Sequence, residues 1–166
     1  IKHINSRSNV DIVSSLLKYD SIHGKFNCKI KHGDNYLNIN GKKITFSQYP
    51  NLSEIKWKNF DVDYVLECTG KFNSKDKLIP HLKNGAKKVI VSAPCKNADK
   101  TIVYGVNHKL INKNDLVVSA ASCTTNCLAP VAYVLNNEFK IENGFMTTIH
   151  SYTTDQRLLD NSHKDF

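Results

Sequence analysis

The residues best suited to chemistry lie in two short motifs in the second half of the chain. The first motif, residues 119–130, reads SAASCTTNCLAP and places Cys123 among hydroxyl side chains. An apolar run, residues 116–118, precedes it and predicts a buried strand, and apolar residues at helical spacing follow it. Cys123 is therefore predicted at a helix start, where N–H groups and the helix dipole favour the nucleophilic thiolate. Position alone fits a buried cysteine beside capping residues equally well.

The second motif, residues 146–157, reads MTTIHSYTTDQR and contains His150. The run before the histidine, residues 145–149, has the composition of a strand. An imidazole brought next to a cysteine acts as a general base and then as a general acid, which is the usual way to activate a thiol. A single histidine after an apolar strand also fits a purely structural role.

Together the two motifs resemble the phosphorylating glyceraldehyde-3-phosphate dehydrogenase family, and the resemblance extends over essentially the whole chain, through VLECTG and KKVIVSAP. It implies that Cys123 is the nucleophile and that His150 activates its thiol. It also implies contacts to glyceraldehyde 3-phosphate or inorganic phosphate, from Ser122, Cys123, Thr124 and Thr153.

The order of elements predicts an α/β fold, because strands alternate with helices and so imply a parallel sheet with crossovers. By resemblance, residues 1–122 form an incomplete Rossmann-type cofactor domain, and residues 123–166 begin an α+β catalytic domain. We expect truncation at both ends, since the family's glycine-rich loop and an arginine for the substrate phosphate have no counterpart here. The pattern further predicts a helix over residues 74–85, a hairpin turn at Asn40-Gly41 and a short strand over residues 102–106.

The resemblance implies a nicotinamide cofactor in the cleft at the carboxyl edge of this sheet, contacted by Ser92 and lined by Thr69 and Gly70. One position departs from the family pattern. Where NAD-using members carry an acidic residue for the ribose hydroxyls, this chain has Ser6 followed by Arg7. That change removes the repulsion of a 2′-phosphate, so NADP is a candidate cofactor as well as NAD. Gln48 is a further candidate cofactor contact.

Composition favours a soluble globular protein, with 40% hydrophobic and 23% charged residues. Five cysteines without disulfide-framework spacing, and no export signal or membrane-length segment, predict free thiols and a cytoplasmic location without membrane contact. The net charge of +8 suits anionic partners, but the basic residues are dispersed, which argues against a nucleic-acid surface. The cysteine and histidine spacing predicts no metal site, and family precedent implies a homotetramer.

The mechanism implied by the resemblance is attack of the Cys123 thiolate on an aldehyde, oxidation of the adduct to a thioester, and release of an acyl phosphate by inorganic phosphate. Erythrose-4-phosphate dehydrogenase is a close alternative, because it shares the cysteine and histidine chemistry. A thiol hydrolase or acyltransferase would need no nicotinamide cofactor. A catalytically incomplete fragment that acts only in binding is the third alternative.

Overall fold

The computed structural model describes residues 1–20 and 23–153. Two four-stranded sheets dominate it. The elements of the first part of the chain are β1 (His3–Asn5), α1 (Val10–Lys18), β2 (Tyr19–Asp20), β3 (Gly24–Lys25), β4 (Ile30–Gly33), β5 (Tyr36–Ile39) and β6 (Lys42–Ser47).

The first sheet has the strand order β1-β6-β5-β4, with β1 parallel to β6 and the other pairs antiparallel. Helix α1 covers it because Val10 packs with Leu37, Ile44 and Phe46 in one buried cluster. The helix is capped by Asn9, whose side chain accepts a hydrogen bond from the Ile12 amide at 2.9 Å.

The hairpin between β5 and β6 confirms the turn predicted at Asn40-Gly41. Both residues have positive φ, 50° and 86°, as a two-residue turn of the mirror-image type requires. The Asn38 side chain also accepts a hydrogen bond from the Gly41 amide at 2.9 Å.

The second sheet is parallel throughout, with the order β7-β8-β10-β9. Its elements and the helices around it are two 3₁₀ turns (Leu52–Glu54 and Trp57–Phe60), β7 (Tyr64–Glu67), α2 (Lys75–Lys83), β8 (Lys88–Val91), β9 (Lys100–Thr101), a 3₁₀ turn (His108–Leu110), β10 (Val117–Ser119) and α3 (Cys123–Phe139). The parallel strands and intervening helices confirm the predicted α/β class.

One face of this parallel sheet forms the larger core. Helix α2 and the 3₁₀ turns lie against it, and Trp57, Leu78 and Val89 are buried there with Val117. The predicted helix is confirmed at slightly shorter bounds, and Pro80 lies inside α2 without ending it.

Two expected strands are wrong. Residues 102–103 have no regular structure and residues 104–107 form a turn, so the strand here is Lys100–Thr101 instead. The run at residues 145–149, before His150, has no regular secondary structure.

The chain divides into two compact units, Ile1–Tyr133 and Val134–Phe166. Both sheets belong to the first unit. Within the described residues, no helix combines the length and apolar character needed to cross a membrane.

Candidate functional site at the carboxyl edge of the parallel sheet

The ends of three parallel strands bring the predicted site residues of the second sheet to one edge. Glu67 of β7 pairs in register with Val91 of β8, and Val91 pairs with Ser119 of β10. The residues that follow these strands therefore emerge side by side. They are the predicted cofactor residues Thr69, Gly70 and Ser92, and the turn that leads to Cys123.

The turn before Cys123 is held by a buried serine. The Ser119 hydroxyl donates to the Ala93 carbonyl at 2.8 Å and accepts from the Ala121 amide at 3.1 Å. Ala121 adopts a positive φ of 61°, which is uncommon for a residue with a side chain and bends the chain sharply into α3. Ser119 is fully buried, so these bonds are shielded from water.

Helix α3 begins at Cys123, as the sequence predicts. Ser122 is its N-cap, because the hydroxyl accepts a hydrogen bond from the Thr125 amide at 3.1 Å and lies 2.7 Å from the Thr125 hydroxyl. The Asn126 side chain donates to the carbonyls of Ala120 and Ser122, at 2.7 and 2.8 Å. The exposed Cys123 thus lies in the first turn of a 17-residue helix, and the hydrogen bonds of Ser122 and Asn126 hold the start of that helix in place.

A cavity of about 460 Å³ opens beside this helix start. Its lining mixes polar and apolar side chains and comprises Asn73, Pro94, Cys95, Lys96, Thr101, Ala121, Ser122 and Thr125. A second thiol, Cys95, belongs to this lining, and burial raises its pKa. Cys95 therefore stays protonated more readily than an ordinary cysteine and is a poor candidate for the nucleophile.

The start of β10 is anchored by Asp99, which sequence reasoning missed. Its carboxylate accepts hydrogen bonds from the amides of Leu116 and Val117, both at 2.9 Å, and forms an ion pair with Lys75 of α2. Burial alone would raise the pKa of Asp99, but Lys75 and the two amides outweigh it and lower that pKa. The strand that delivers Cys123 is thereby tied to α2.

The predicted turn Thr69-Gly70 follows β7 directly. Gly70 has a positive φ of 71°, which favours glycine, and a Cβ built there would meet nothing within 4 Å. The turn therefore borders open space at the edge where dinucleotides bind in open α/β sheets, and this arrangement fits a nicotinamide dinucleotide.

Ser6, Arg7 and Gln48 lie together at the corresponding edge of the first sheet. The Ser6 amide donates to the Ser47 carbonyl at 3.1 Å, which places Ser6 beside the residue that precedes Gln48. The Asn5 side chain accepts from the Tyr49 amide at 2.9 Å and so brackets Gln48 from the other side. Arg7 and Gln48 are exposed.

His150 and Thr153 lie in the second unit, where both are exposed. The His150 Nδ1 atom donates to the Ser151 carbonyl at 2.5 Å, so this nitrogen carries a proton. Thr124 lies in the first turn of α3. Residues 154–157, the end of the second motif, lie outside the described residues, as does the rest of the predicted catalytic segment to residue 166.

Among the described residues, no three or more His, Cys, Asp or Glu side chains form a group that could hold a metal ion. The described cysteines form no disulfide bond with one another.

Two family models match the chain. The model for the NAD binding domain of glyceraldehyde 3-phosphate dehydrogenase matches residues 1–75, and the model for the C-terminal domain of the same enzyme matches residues 122–166.

Curated relatives support the same assignment. The chain is 52% identical over 162 residues to the glyceraldehyde-3-phosphate dehydrogenase of Cereibacter sphaeroides, and 49% identical over 162 residues to that of Pseudomonas aeruginosa. It is 48% identical over 163 residues to glyceraldehyde-3-phosphate dehydrogenase 2 of Bacillus subtilis. Each match covers 98% of this chain and 48% of the relative, so the chain spans about half the length of the curated relatives it matches. The chain therefore belongs to the glyceraldehyde-3-phosphate dehydrogenase family.

Proposed function

We propose that the protein containing this chain oxidises and phosphorylates glyceraldehyde 3-phosphate, with Cys123 as nucleophile. The observation that carries the proposal is the position of Cys123. It is the first residue of a capped 17-residue helix, at the carboxyl edge of a parallel sheet, beside a cavity of about 460 Å³. A helix N-terminus of this kind stabilises a thiolate and also attracts an anionic substrate.

In the proposed reaction the Cys123 sulfur attacks the aldehyde carbon and forms a thiohemiacetal. His150 takes the proton of the new hydroxyl group as the carbon is oxidised, and a thioester to Cys123 remains. Inorganic phosphate then attacks the thioester, which releases the acyl phosphate and returns the thiolate. Ser122, Thr124 and Thr153 are the proposed phosphate contacts, since hydroxyl groups at a helix start suit an anion.

NAD is the proposed cofactor, and when bound it accepts the hydride released by the oxidation. Support comes from the match of residues 1–75 to an NAD binding domain and from the placement of Thr69, Gly70 and Ser92 at one sheet edge. Ser6, Arg7 and Gln48 would hold the other end of the dinucleotide. Because Ser6 brings no carboxylate, NADP is accepted as well in this proposal.

The proposed arrangement has residues 1–122 as the cofactor domain and residues 123–166 as the beginning of the catalytic domain. The second family model begins at residue 122, which supports this boundary. We further propose a homo-oligomer in the cytoplasm, without membrane or nucleic-acid partners.

The proposal is tested with a chimera in which this chain replaces the matching 163-residue stretch of the Bacillus subtilis relative. Reduction of NAD and NADP is followed by absorbance, with glyceraldehyde 3-phosphate and phosphate present. We expect phosphate-dependent turnover that Cys123→Ser abolishes. Cys127→Ser is the matched control, since Cys127 lies one turn further along α3, and this variant should keep its activity.

Each alternative has its own signature in this assay. Faster turnover with erythrose 4-phosphate would favour the neighbouring dehydrogenase, and ester hydrolysis without nicotinamide would favour a thiol hydrolase. Cofactor binding without any reduction would show that this chain keeps the fold and lacks the chemistry. The ratio of the NAD and NADP rates, compared between the parent and Arg7→Ala, measures what Arg7 contributes.

A further inference from the structure

A chain of buried hydrogen bonds runs from a 3₁₀ turn to the edge of the parallel sheet. Trp57 Nε1 donates to His81 Nδ1 at 2.9 Å, and His81 Nε2 lies 3.2 Å from Glu67 Oε2. The other carboxylate oxygen, Glu67 Oε1, accepts from the Thr69 amide at 2.8 Å. Trp57, His81 and Glu67 are only 6%, 2% and 4% exposed, so water does not compete for the two bonds of His81, whereas the bond from Thr69 is partly buried.

The donors in this series of hydrogen bonds determine where His81 and Glu67 carry protons. An indole nitrogen can only donate, so Nδ1 of His81 accepts and Nε2 carries the ring proton. Both oxygens of Glu67 then face donors, one on His81 and one on Thr69. An ionised carboxylate satisfies both donors, whereas an amide in its place would turn an NH₂ group toward one of them.

The ionised form is stable in this buried place because of its partners. Burial alone would raise the pKa of Glu67, but the hydrogen bonds from His81 and Thr69 outweigh it and hold that pKa below its usual value.

Glu67 contacts both of the sheet-edge segments that we propose hold the nicotinamide end of the cofactor. Its carboxylate binds the amide of Thr69, in the turn that contains the left-handed Gly70. Its main-chain carbonyl accepts from the Ser92 amide at 3.1 Å, at the end of the neighbouring strand. One residue thus connects two turns that belong to different strands.

We propose that Glu67 is a positioning residue for the cofactor cleft, whose carboxylate, held by His81 and Trp57, fixes the Thr69-Gly70 turn in its binding conformation. Glu67 itself lies beneath the turn and does not touch the cofactor. This inference rests on the proposed function, because it assigns the mechanical support of that same site.

Glu67→Gln in the chimera tests the proposal by cofactor binding. The amide cannot serve both donors, so the turn loses one anchor, and we expect the NAD dissociation constant to rise about tenfold. The KM for the aldehyde should stay within about twofold, since the start of α3 has its own anchors. Leu78→Ala is the matched control: Leu78 lies on α2 with His81 in the same core, and its truncation lowers stability without touching the turn.

A second variant separates positioning from simple loss of stability. In Glu67→Gln/Trp57→Phe, His81 no longer receives the indole N–H, so its Nε2 is able to accept from the new amide while the amide oxygen keeps the Thr69 bond. We expect this double variant to bind NAD more tightly than Glu67→Gln alone, although it carries one more core substitution. A purely structural role predicts the opposite order.

Amide exchange and nitrogen NMR on the 166-residue chain give a readout that needs no cofactor. Glu67→Gln should accelerate exchange at the Thr69 amide and leave Val89 protected, and the His81 nitrogen shifts should report an Nε2–H ring in the parent. Equal NAD affinity in the parent and Glu67→Gln, or unchanged Thr69 exchange, would overturn the inference. A parent chimera that binds no nicotinamide cofactor would overturn the proposed function, and the assignment of Glu67 to a cofactor cleft with it.

Discussion

Two cysteines near the same cavity show how position determines the chemistry of a thiol. Cys95 lies in the cavity lining, where burial raises its pKa and favours the neutral form. Cys123 lies in the first turn of α3, where the helix dipole favours the thiolate. The two residues have the same side chain, and their places in the fold suit only Cys123 for nucleophilic attack.

His3 makes the first sheet sensitive to acid. Its ring is bonded to the hydroxyls of Thr45 and Ser47, both at 2.8 Å, and stacks on Phe60 with 3.7 Å between ring centroids. Burial lowers the pKa of His3 to about 4, compared with 6.5 in an exposed histidine. The unfolded chain therefore binds a proton that the folded chain excludes, so stability is lost as pH falls from 6.5 toward 4.

We expect the free energy of unfolding of the 166-residue chain to fall by about 2 kcal/mol between pH 7 and pH 5 because of His3. Urea titrations at the two pH values measure it. Glu67 and Asp99 have lowered pKa values, so they reduce stability only when the pH falls below their ordinary pKa values of 4.5 and 3.8. The non-titrating variant His3→Asn should lose most of the pH dependence, and an unchanged dependence would show that the acid-sensitive group lies elsewhere.

Single residues were predictable from sequence where a local motif identified them. Cys123 at the helix start is such a case, because the strand, the hydroxyl residues and the helical spacing are all neighbours in sequence. Glu67 and Asp99 were not predictable in this way, since their partners come from other elements. The available signal for Glu67 was a charged residue at the end of an otherwise apolar strand, which is rarely buried without a partner.

At the scale of elements, the β5–β6 hairpin was predictable to the residue. Its turn signal, Asn40-Gly41, and its two strands are contiguous, so the pairing depends on local conformation alone.

The strand predicted at residues 102–106 does not form because the Asn107 side chain makes hydrogen bonds to the backbone there. Asn107 Oδ1 accepts from the Val103 amide at 2.8 Å, and Asn107 Nδ2 donates to the Thr101 carbonyl at 3.0 Å. These bonds close a turn directly after β9 and replace the strand pairing that the apolar composition suggests. Hydrogen bonds of this kind depend on side-chain geometry, which cannot be inferred from the spacing of apolar residues in the sequence.

The junction after α2 requires a glycine. Gly85 has φ of 111°, and a Cβ there would lie 2.7 Å from Lys58 Cβ and 2.9 Å from the Lys58 amide nitrogen. We expect Gly85→Ala to lower the free energy of unfolding by about 3 kcal/mol, because backbone strain and a main-chain clash combine. Chemical denaturation of the purified variant measures the loss.

Gly105→Ala provides the comparison for this element. Gly105 also has a positive φ, 88°, but a Cβ there meets nothing within 4 Å. Its cost should be only the strain, about 1 kcal/mol. Equal losses in the free energy of unfolding for the two variants would mean that Lys58 moves away from the new Cβ at residue 85 without destabilising the protein.

At the scale of the whole molecule, the parallel sheet ends at strand β7, which has one covered face and one exposed face. Val65 is 5% exposed beneath α2, whereas its neighbours Tyr64 and Leu66, on the opposite face, are 59% and 64% exposed. Exposed apolar residues in adjacent positions are a surface that dyes and other chains bind.

Leu66→Thr should reduce binding of a hydrophobic fluorescent dye to the 166-residue chain. It should change the free energy of unfolding by less than about 0.5 kcal/mol, because the Leu66 side chain is exposed. Val65→Thr is the opposite-face control. It places a hydroxyl in the core and should lower stability by about 2 kcal/mol with no loss of dye binding. Unchanged dye fluorescence in Leu66→Thr would show that the dye binds another surface.

The parallel pairing of β1 with β6 has a consequence for how fast the first sheet forms. His3 pairs with Thr45, so the intervening chain, with α1 and the hairpin inside it, must close into one large loop before this ladder exists. Closing such a loop loses chain entropy early and gains contacts late, whereas the β5–β6 hairpin closes within microseconds. On a ribosome, β1 is made before every other strand described here, yet it has no partner until β6 has emerged.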